Sequence, residues 1–452
     1  MPYGAEAMVL SSDEVEKLVQ LDLFPAEKKT ARSRSNGTAN KLGDTDRQVH
    51  DWYRFVLSFP PHLVREYLTR FGLKKGDTLL DPFCGTGTTL VEAKLHGIAS
   101  IGIEANAMAH FASTVKVDWH LDPDLLIKRA TLTAKHAHQL LAAEGQSAAR
   151  TLPPEAEALL LRDSISPLPL HKSLALLEHI RRADPSTCQR HELLAFAKAL
   201  VFSISNLHFG PEVGVQPTKK TDAPVVESWL AEVDAISRDL RQVRHCETSA
   251  IVHRADARQL MTLLQPHSID AVFTSPPYPN EKDYTRTTRL ESVLLGFIRN
   301  KEELRALKKG LLRSNTRNVY KGDDDDIWIA EHTEIQAIAV EIENRRIALG
   351  KTSGFEKLYG KVTKLYFGGM ARHLAELRPL LKSGAYLGYV VGDQASYLQV
   401  MIRTGQLLAE IASSLGYRVV SIDLFRTRLA TATRQQLREE VVVLQWPGCL
   451  RG

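Results

Sequence analysis

Ser275-Pro276-Pro277-Tyr278 follows the apolar run Ala271-Val272-Phe273 without a break. Proline has no N–H for a sheet ladder, so a strand reaching Phe273 must stop at this corner. The two rings hold the backbone there rigid. A second group of candidate residues lies upstream, in Asp81-Pro82-Phe83-Cys84-Gly85-Thr86-Gly87-Thr88. Glycines at such a place allow a tight turn and close approach of a ligand, and the following helix presents free N–H groups. Two glycines in a strand-to-helix turn also fit an ordinary turn with no ligand. Two acids favour the ligand. Asp81 closes the strand before the loop, and Glu104 closes the next strand 23 residues later, near the ~20 expected for a carboxylate that grips a ribose. No Gly-Lys-Ser/Thr follows, which excludes a P-loop. Asp256, in "RADA" after the strand-like "AIVH", would reach the same sheet edge. An aspartate after a strand is common by itself, and gains weight here because the Pro-Pro corner ends the next strand.

These residues need a scaffold, and the patterning supplies one. After a Pro-Pro start, Leu63, Val64, Tyr67, Leu68 and Phe71 recur at helical spacing. Over 60–106 the order is helix, strand, glycine loop, helix, strand, the opening of a doubly wound α/β fold. Four helical stretches then interrupt that rhythm, with the loop "GPEVGVQPTKKTDAP" between the last two. Strands resume at "SAIVHRADARQL" and "SIDAVFTSPPY". A second polar, mostly helical insertion follows. The helix "MARHLAELRPLL", the strand "GAYLGYVVGD" and the helix "RTGQLLAEIASSLG" come next. The strands "YRVVSIDLFR" and "REEVVVLQW" finish the chain and are expected to form an antiparallel edge pair. The organisation expected is a flexible arm over 1–49, a first catalytic part over 50–118, and a helical insertion over 119–248. The catalytic domain continues over 249–284, a second insertion spans 285–360, and the domain ends over 361–452.

Composition narrows the class. The chain has 452 residues, 44% hydrophobic and 25% charged, as in a soluble globular protein larger than one small core. Its net charge of +5 is compatible with a nucleic-acid partner. The four cysteines form no CxxC pair and have no histidine at zinc spacing, so neither a disulfide framework nor a zinc site is indicated. The N-terminus is unlike a signal peptide and no run of about 18 apolar residues occurs. A cytoplasmic protein without a membrane partner is expected. Cys84 reads as a packing residue. The acidic run Asp323–Asp326 reads as a solvated turn and not a metal site.

"DPFCGTGTT" followed by "TSPPY" resembles the amino-group DNA methyltransferases, which use S-adenosylmethionine (AdoMet) to methylate cytosine N4 or adenine N6. The resemblance covers about 50–118 and 250–447. It implies a Rossmann-like α/β methyltransferase fold with a mostly parallel sheet. By that likeness Asp81, Pro82, Phe83, Gly85 and Gly87 hold the methionine part of AdoMet, Glu104 the ribose hydroxyls, and Asp256 with Ala257 the adenine. "LSFPP" resembles the family's methionine-carboxylate element loosely. The insertion between Glu104 and Asp256 departs from the family's simple pattern and exceeds an ordinary loop.

The resemblance gives the corner a chemical task. An exocyclic amino group is a poor nucleophile because its lone pair is delocalised into the ring. Ser275 Oγ and the Pro276 carbonyl would accept from its two N–H groups and draw the nitrogen toward tetrahedral geometry. Pro276 and Pro277 preorganise that backbone, and Tyr278 offers a ring to stack on a base flipped out of the duplex. Direct attack on the sulfonium methyl would follow. By the same likeness, serine rather than aspartate at 275 implies cytosine N4 over adenine N6, since the Asp-Pro-Pro-Tyr form predominates in the family's adenine members. Carbon-5 methylation is disfavoured, since no Pro-Cys pair is present. DNA recognition is expected from the insertions, with Lys219, Lys220, Arg313, Arg317 and Lys321 as candidate contacts. The partner implied is double-stranded DNA with a specific target, in a bacterial or archaeal cell where the protein is nucleoid-associated when bound. A cognate restriction endonuclease is a further expected partner. The rival readings are an RNA guanine-N2 methyltransferase and a non-catalytic DNA-binding subunit.

Overall fold

The computed structural model describes residues 42–448, apart from 56–57, 146–148, 183–187, 210–211, 281 and 430–435. Most of the expected N-terminal arm, 1–41, lies outside the described residues. Its last part is not an arm. Val49 is fully buried, and Asp46 pairs with Arg65 at 2.8 Å. Val49 N–H and Trp52 Nε1 both donate to Asp239 at 2.9 and 2.8 Å, so this stretch is pinned to the helical insertion.

Seven strands form one sheet in the order β5-β2-β1-β6-β7-β9-β8. They are β1 (Thr78–Asp81), β2 (Ala99–Ile103), β5 (Ala250–His253), β6 (Ile269–Thr274), β7 (Leu381–Gly392), β8 (Arg418–Leu429) and β9 (Gln436–Gln445). The first five run parallel, with Leu80 opposite Ile101 and Leu79 opposite Ala271. β9 is antiparallel to both β7 and β8. The expected C-terminal pair therefore forms, with β9 slotted inside the sheet and β8 at its edge.

The strands alternate faces with period two, and both faces are covered. Leu80, Val272, Leu387 and Val442 share one core with the long helix Tyr359–Leu377. Leu79, Ala271, Phe273, Val441 and Val443 share the opposite core with Leu63, Val64, Tyr67 and Leu68. Those four come from the helix Pro61–Arg70, which begins on Pro61 as the Pro-Pro signal predicts. The helix Tyr359–Leu377 starts eleven residues before the expected "MARHLAELRPLL". Gly368 and Gly369 sit inside it because a Cβ on Gly368 would lie 2.0 Å from the Asp325 carbonyl oxygen. Close packing there outweighs the low helix propensity of glycine.

The four long helices expected in the first insertion are Pro123–Glu144, Pro167–Arg182, Cys188–Ala199 and Val225–Val243. They are not a separate body: Trp229 and Phe196 share a core with Leu90, Met108 and Val115 of the helices flanking β2. The loop expected between the last two contains a small hairpin, β3 (Leu207–Phe209) and β4 (Val213–Val215). Among the described residues no helix is long and apolar enough to cross a membrane.

Candidate active site

The chain runs outward from β1 to β2 and β5, then returns to lay β6 on the other side of β1. Open α/β sheets bind ligands beyond the strand ends at such a reversal. The glycine loop caps β1 there and the Ser-Pro-Pro-Tyr corner caps β6. A cavity of about 450 Å³ opens between them, in the ~300–1,000 Å³ range of small-molecule sites.

Asp81 ties the two strand ends together. Its Oδ1 accepts from the Thr274 hydroxyl at 2.6 Å and from the Phe83 N–H at 3.2 Å. Its Oδ2 is buried without a partner, and burial raises the group to about 6. Asp81 lies under the loop and does not line the cavity. Gly85 and Gly87 both adopt left-handed backbone, with φ of +52° and +83°. An added Cβ at Gly85 would meet nothing, whereas one at Gly87 would stand 3.1 Å from Ser113 Cβ. Gly85 thus faces the cavity, and Gly87 lets the loop close on the helix Ala107–Lys116. Of Asp81, Gly85 and Gly87, all expected to hold the methionine part of AdoMet, Gly85 is the one in the cavity wall.

Pro82, Phe83, Glu104, Asp256 and Ala257 also line the cavity, and so do Ser58 and Phe59 of "LSFPP". Glu104 accepts from the Gly85 N–H at 2.8 Å and the Asn106 N–H at 2.7 Å. Burial pushes its carboxyl up to about 7. Asp256 accepts from Arg258 N–H at 3.0 Å, Nε at 2.9 Å and Nη2 at 2.6 Å. Arg258 is buried and also bonds Asp325 in the second insertion. Sequence reasoning missed Arg258, although its position two residues after Asp256 was a signal. His373 is buried behind this wall. Its ring bridges the Ala257 carbonyl and the Tyr389 hydroxyl, each at 2.8 Å, and stands edge-on to Phe83 at 5.0 Å.

At the corner, Ser275 Oγ donates to the Val390 carbonyl at 3.1 Å. The single hydroxyl proton is thereby directed into β7, so Oγ acts as an acceptor toward its other neighbours, the Tyr278 hydroxyl among them. Pro276 is buried, and Ser275, Pro276, Pro277 and Tyr278 all line the cavity. The Tyr278 ring lies over Gly392, where a Cβ would come within 3.0 Å of it. The segment after the corner is braced from the second insertion. Asn315 Nδ2 donates to the Lys282 carbonyl at 3.1 Å, and Lys308 pairs with buried Asp283 at 2.7 Å. Leu311 and Leu312 of that insertion enter the wall, as do Lys282, Arg426 and Arg428. None of these was foreseen as a site residue.

The candidate DNA contacts are scattered and lie outside the cavity. Arg313 is a correction: it is buried, and its guanidinium is held by Asp323 at 2.8 Å and by the Lys308 and Lys309 carbonyls at 3.1 Å. The acidic run is corrected with it, since Asp325 is buried against Arg258 and Arg372 and is not a solvated turn. Arg317 and Lys321 are exposed, Arg317 over the Phe355 ring at 5.8 Å. Lys219 and Lys220 lie in the segment after β4 of the first insertion, with Lys220 Nζ on the Ser203 carbonyl at 2.6 Å. Among the described residues no cluster of histidine, cysteine or acids could hold a metal ion.

The DNA methylase family profile matches residues 17–113. The chain is 27% identical to the Type II methyltransferase M.BsoBI of Geobacillus stearothermophilus, over 89% of this chain and 86% of that protein. It is 22% identical to the Type II methyltransferase M.AvaI of Nostoc sp., over 88% of this chain and 86% of that protein. A local match, 35% identical over 18% of this chain, links it to a tRNA (guanine(10)-N2)-dimethyltransferase of Methanocaldococcus jannaschii. Matches running nearly the whole length of two DNA methyltransferases agree with the strand order and with the two motifs at its reversal. The chain is thus similar to the amino-group (N6-adenine or N4-cytosine) DNA methyltransferases, whose methyl donor is AdoMet.

Proposed function

We propose that this protein methylates cytosine N4 at a specific site in duplex DNA, as the methyltransferase of a restriction–modification system. The observation that carries the reading is the Ser275 hydroxyl, whose proton is committed to the Val390 carbonyl. Ser275 Oγ and the Pro276 carbonyl then accept from the two N–H groups of the target amine and localise its lone pair. The Pro276-Pro277 backbone holds both acceptors in place before the base arrives. Tyr278 supports the base by stacking. When bound, AdoMet supplies a methyl group on a sulfonium, open to in-line attack by that nitrogen.

The cofactor half of the cavity fits AdoMet. The open face of Gly85 admits a ligand against the loop backbone, and the unpartnered Asp81 Oδ2 lies beneath it. Each Glu104 oxygen accepts one backbone N–H and keeps a lone pair for a ribose hydroxyl. Asp256 and Ala257 border the region assigned to adenine, with Leu311 and Leu312 as apolar cover. Serine at 275, as in many cytosine-N4 members, is what supports cytosine over adenine. The two full-length relatives are Type II methyltransferases by name, which supports the restriction–modification setting, a cognate nuclease and a cytoplasmic, nucleoid-associated place of work. The tRNA methyltransferase match spans only 18% of the chain and does not favour an RNA substrate.

Nucleoside mass analysis of DNA treated with protein and AdoMet tests the reading. N4-methylcytosine is expected, and N6-methyladenine would overturn the base assignment.

A further inference from the structure

The helix Cys188–Ala199 does not end in an ordinary cap. It widens into a π-turn, Leu200–Ile204, a form that is rare and concentrated at functional sites. Within that turn Phe202 projects into solvent, 48% exposed. Its ring lies 5.8 Å from that of Phe209 on β3. Phe209 pairs with Val213 on β4, and the residue before Val213, Glu212, lines the catalytic cavity. Glu212 also pairs with Arg286 at 3.3 Å, just beyond the Ser-Pro-Pro-Tyr segment. Phe202 therefore stands on the far side of one narrow hairpin from the cavity mouth. Lys220 is fixed on the same turn through the Ser203 carbonyl, and Lys219 is its neighbour. An exposed aromatic ring with the Lys220 ammonium on its own turn and Lys219, held on the Gln216 carbonyl, next in sequence, all one hairpin away from the mouth of a site that must receive a base, has the composition of a surface for nucleic acid.

We propose that this face of the first insertion grips the duplex around the flipped nucleotide, with Phe202 stacking on a base beside or opposite the vacated position and Lys219 and Lys220 meeting flanking phosphates. The proposal rests on the cavity being the place of methyl transfer. A base that leaves the helix enters through the cavity mouth, so the duplex it left must lie against whatever borders that mouth. Glu212, beside β4, is such a border, with β3 paired to β4 behind it. Extrusion exposes π faces in the stack, and an aromatic ring is the side chain that recovers the lost stacking without demanding a particular base. The two lysines add sequence-independent attraction to the same place.

The test uses the full chain with Phe202→Ala, Phe202→Leu and Phe202→Trp, and an unmethylated linear duplex as probe. Phe202→Ala should weaken duplex binding about tenfold, within the range of one lost base–aromatic stack. AdoMet affinity should stay at the wild-type value, which also shows that the variant folds. Phe202→Trp should retain binding, with tryptophan emission quenched on the duplex, and Phe202→Leu should bind as poorly as Phe202→Ala. Replacing Lys219 and Lys220 together by alanine should lower the salt dependence of binding by up to about 2 in slope. Wild-type duplex binding by Phe202→Ala, or full rescue by Phe202→Leu, would overturn the proposal. So would a change in self-association with duplex binding intact, which would make the face a protein interface. Failure of the wild-type protein to transfer methyl groups would instead strike the reading of the cavity itself.

Discussion

The two halves of the cavity are built differently. The cofactor half is made of short consecutive runs at strand ends, braced mainly by nearby backbone (Asp81 on Phe83, Glu104 on Gly85 and Asn106, Asp256 on Arg258), with Asp81–Thr274 and Arg258–Asp325 as its long-range ties. The target half is assembled at long range. Ser275 needs Val390, the Lys282 segment needs Asn315, and Arg426 and Arg428 arrive from the edge strand β8 with Glu439 between them. A half that braces itself locally accepts one invariant ligand. A half held by distant segments can change its specificity through the insertions without disturbing the first.

Substitutions can break this contrast, and the largest effect is expected where the halves meet. Arg258 is buried between Asp256 of the cofactor half and Asp325 of the second insertion. Arg258→Met leaves Asp256 without its cation and Asp325 with Arg372 alone, and should cost about 3–5 kcal/mol of stability by denaturant unfolding. A loss below about 1 kcal/mol would show that the insertion is not anchored through this cation.

Glu104→Gln should weaken AdoMet binding roughly tenfold or more, because a charge-assisted acceptor becomes a neutral amide, and leave Kd for duplex DNA unchanged. Its pH dependence sharpens the point. Burial raises Glu104 from 4.5 to about 7, so the folded state holds this proton more tightly than the unfolded one. Its contribution to stability is therefore greatest at low pH and falls as pH rises from 4.5 to about 7. AdoMet binding by the wild type should strengthen as pH climbs through that upper value, since the ionised carboxylate is the better acceptor. The Gln variant should lack the trend in AdoMet titration and show a shallower one in ligand-free melting, where Asp81, Glu192, Glu291 and Glu440, also raised by burial, supply the remainder.

A smaller effect is expected at His373, which burial holds down to about 4 and hence neutral. His373→Phe removes the hydrogen bonds to Ala257 and Tyr389. It should raise KM for AdoMet several-fold with kcat little changed, as expected of a positioning residue confined to the cofactor half. An equal fall in kcat would join the two halves and weaken the contrast. The smallest effect is expected at exposed Lys321, which lines neither half: Lys321→Ala should leave stability within about 0.5 kcal/mol and AdoMet affinity unchanged.

The same contrast explains what could be read from the residues in order. Consecutive motifs ending strands place Gly85, Glu104 and Ser275 on one crevice by the rule for open α/β sheets, so these positions were legible. The parallel core and the C-terminal antiparallel strands were legible from apolar runs. Arg313 was not: a lone arginine in a polar stretch looks free until Asp323 folds back onto it. Asp325 hid for the same reason, in a run whose composition resembles solvent-exposed acid. The early start of the helix Tyr359–Leu377 was masked by Gly368-Gly369, where packing overrides propensity. The hairpin at β3 and β4 was hidden because each strand has three residues, too few to show a period.

The central claim is that the Ser275 corner activates a DNA amino group. The most direct measurement is mass analysis of nucleosides from unmethylated DNA incubated with AdoMet and either wild-type protein or Ser275→Ala. The account predicts N4-methylcytosine with the wild type and a loss of roughly a hundredfold or more in the variant, at unchanged AdoMet affinity. Undiminished methylation by Ser275→Ala would contradict it.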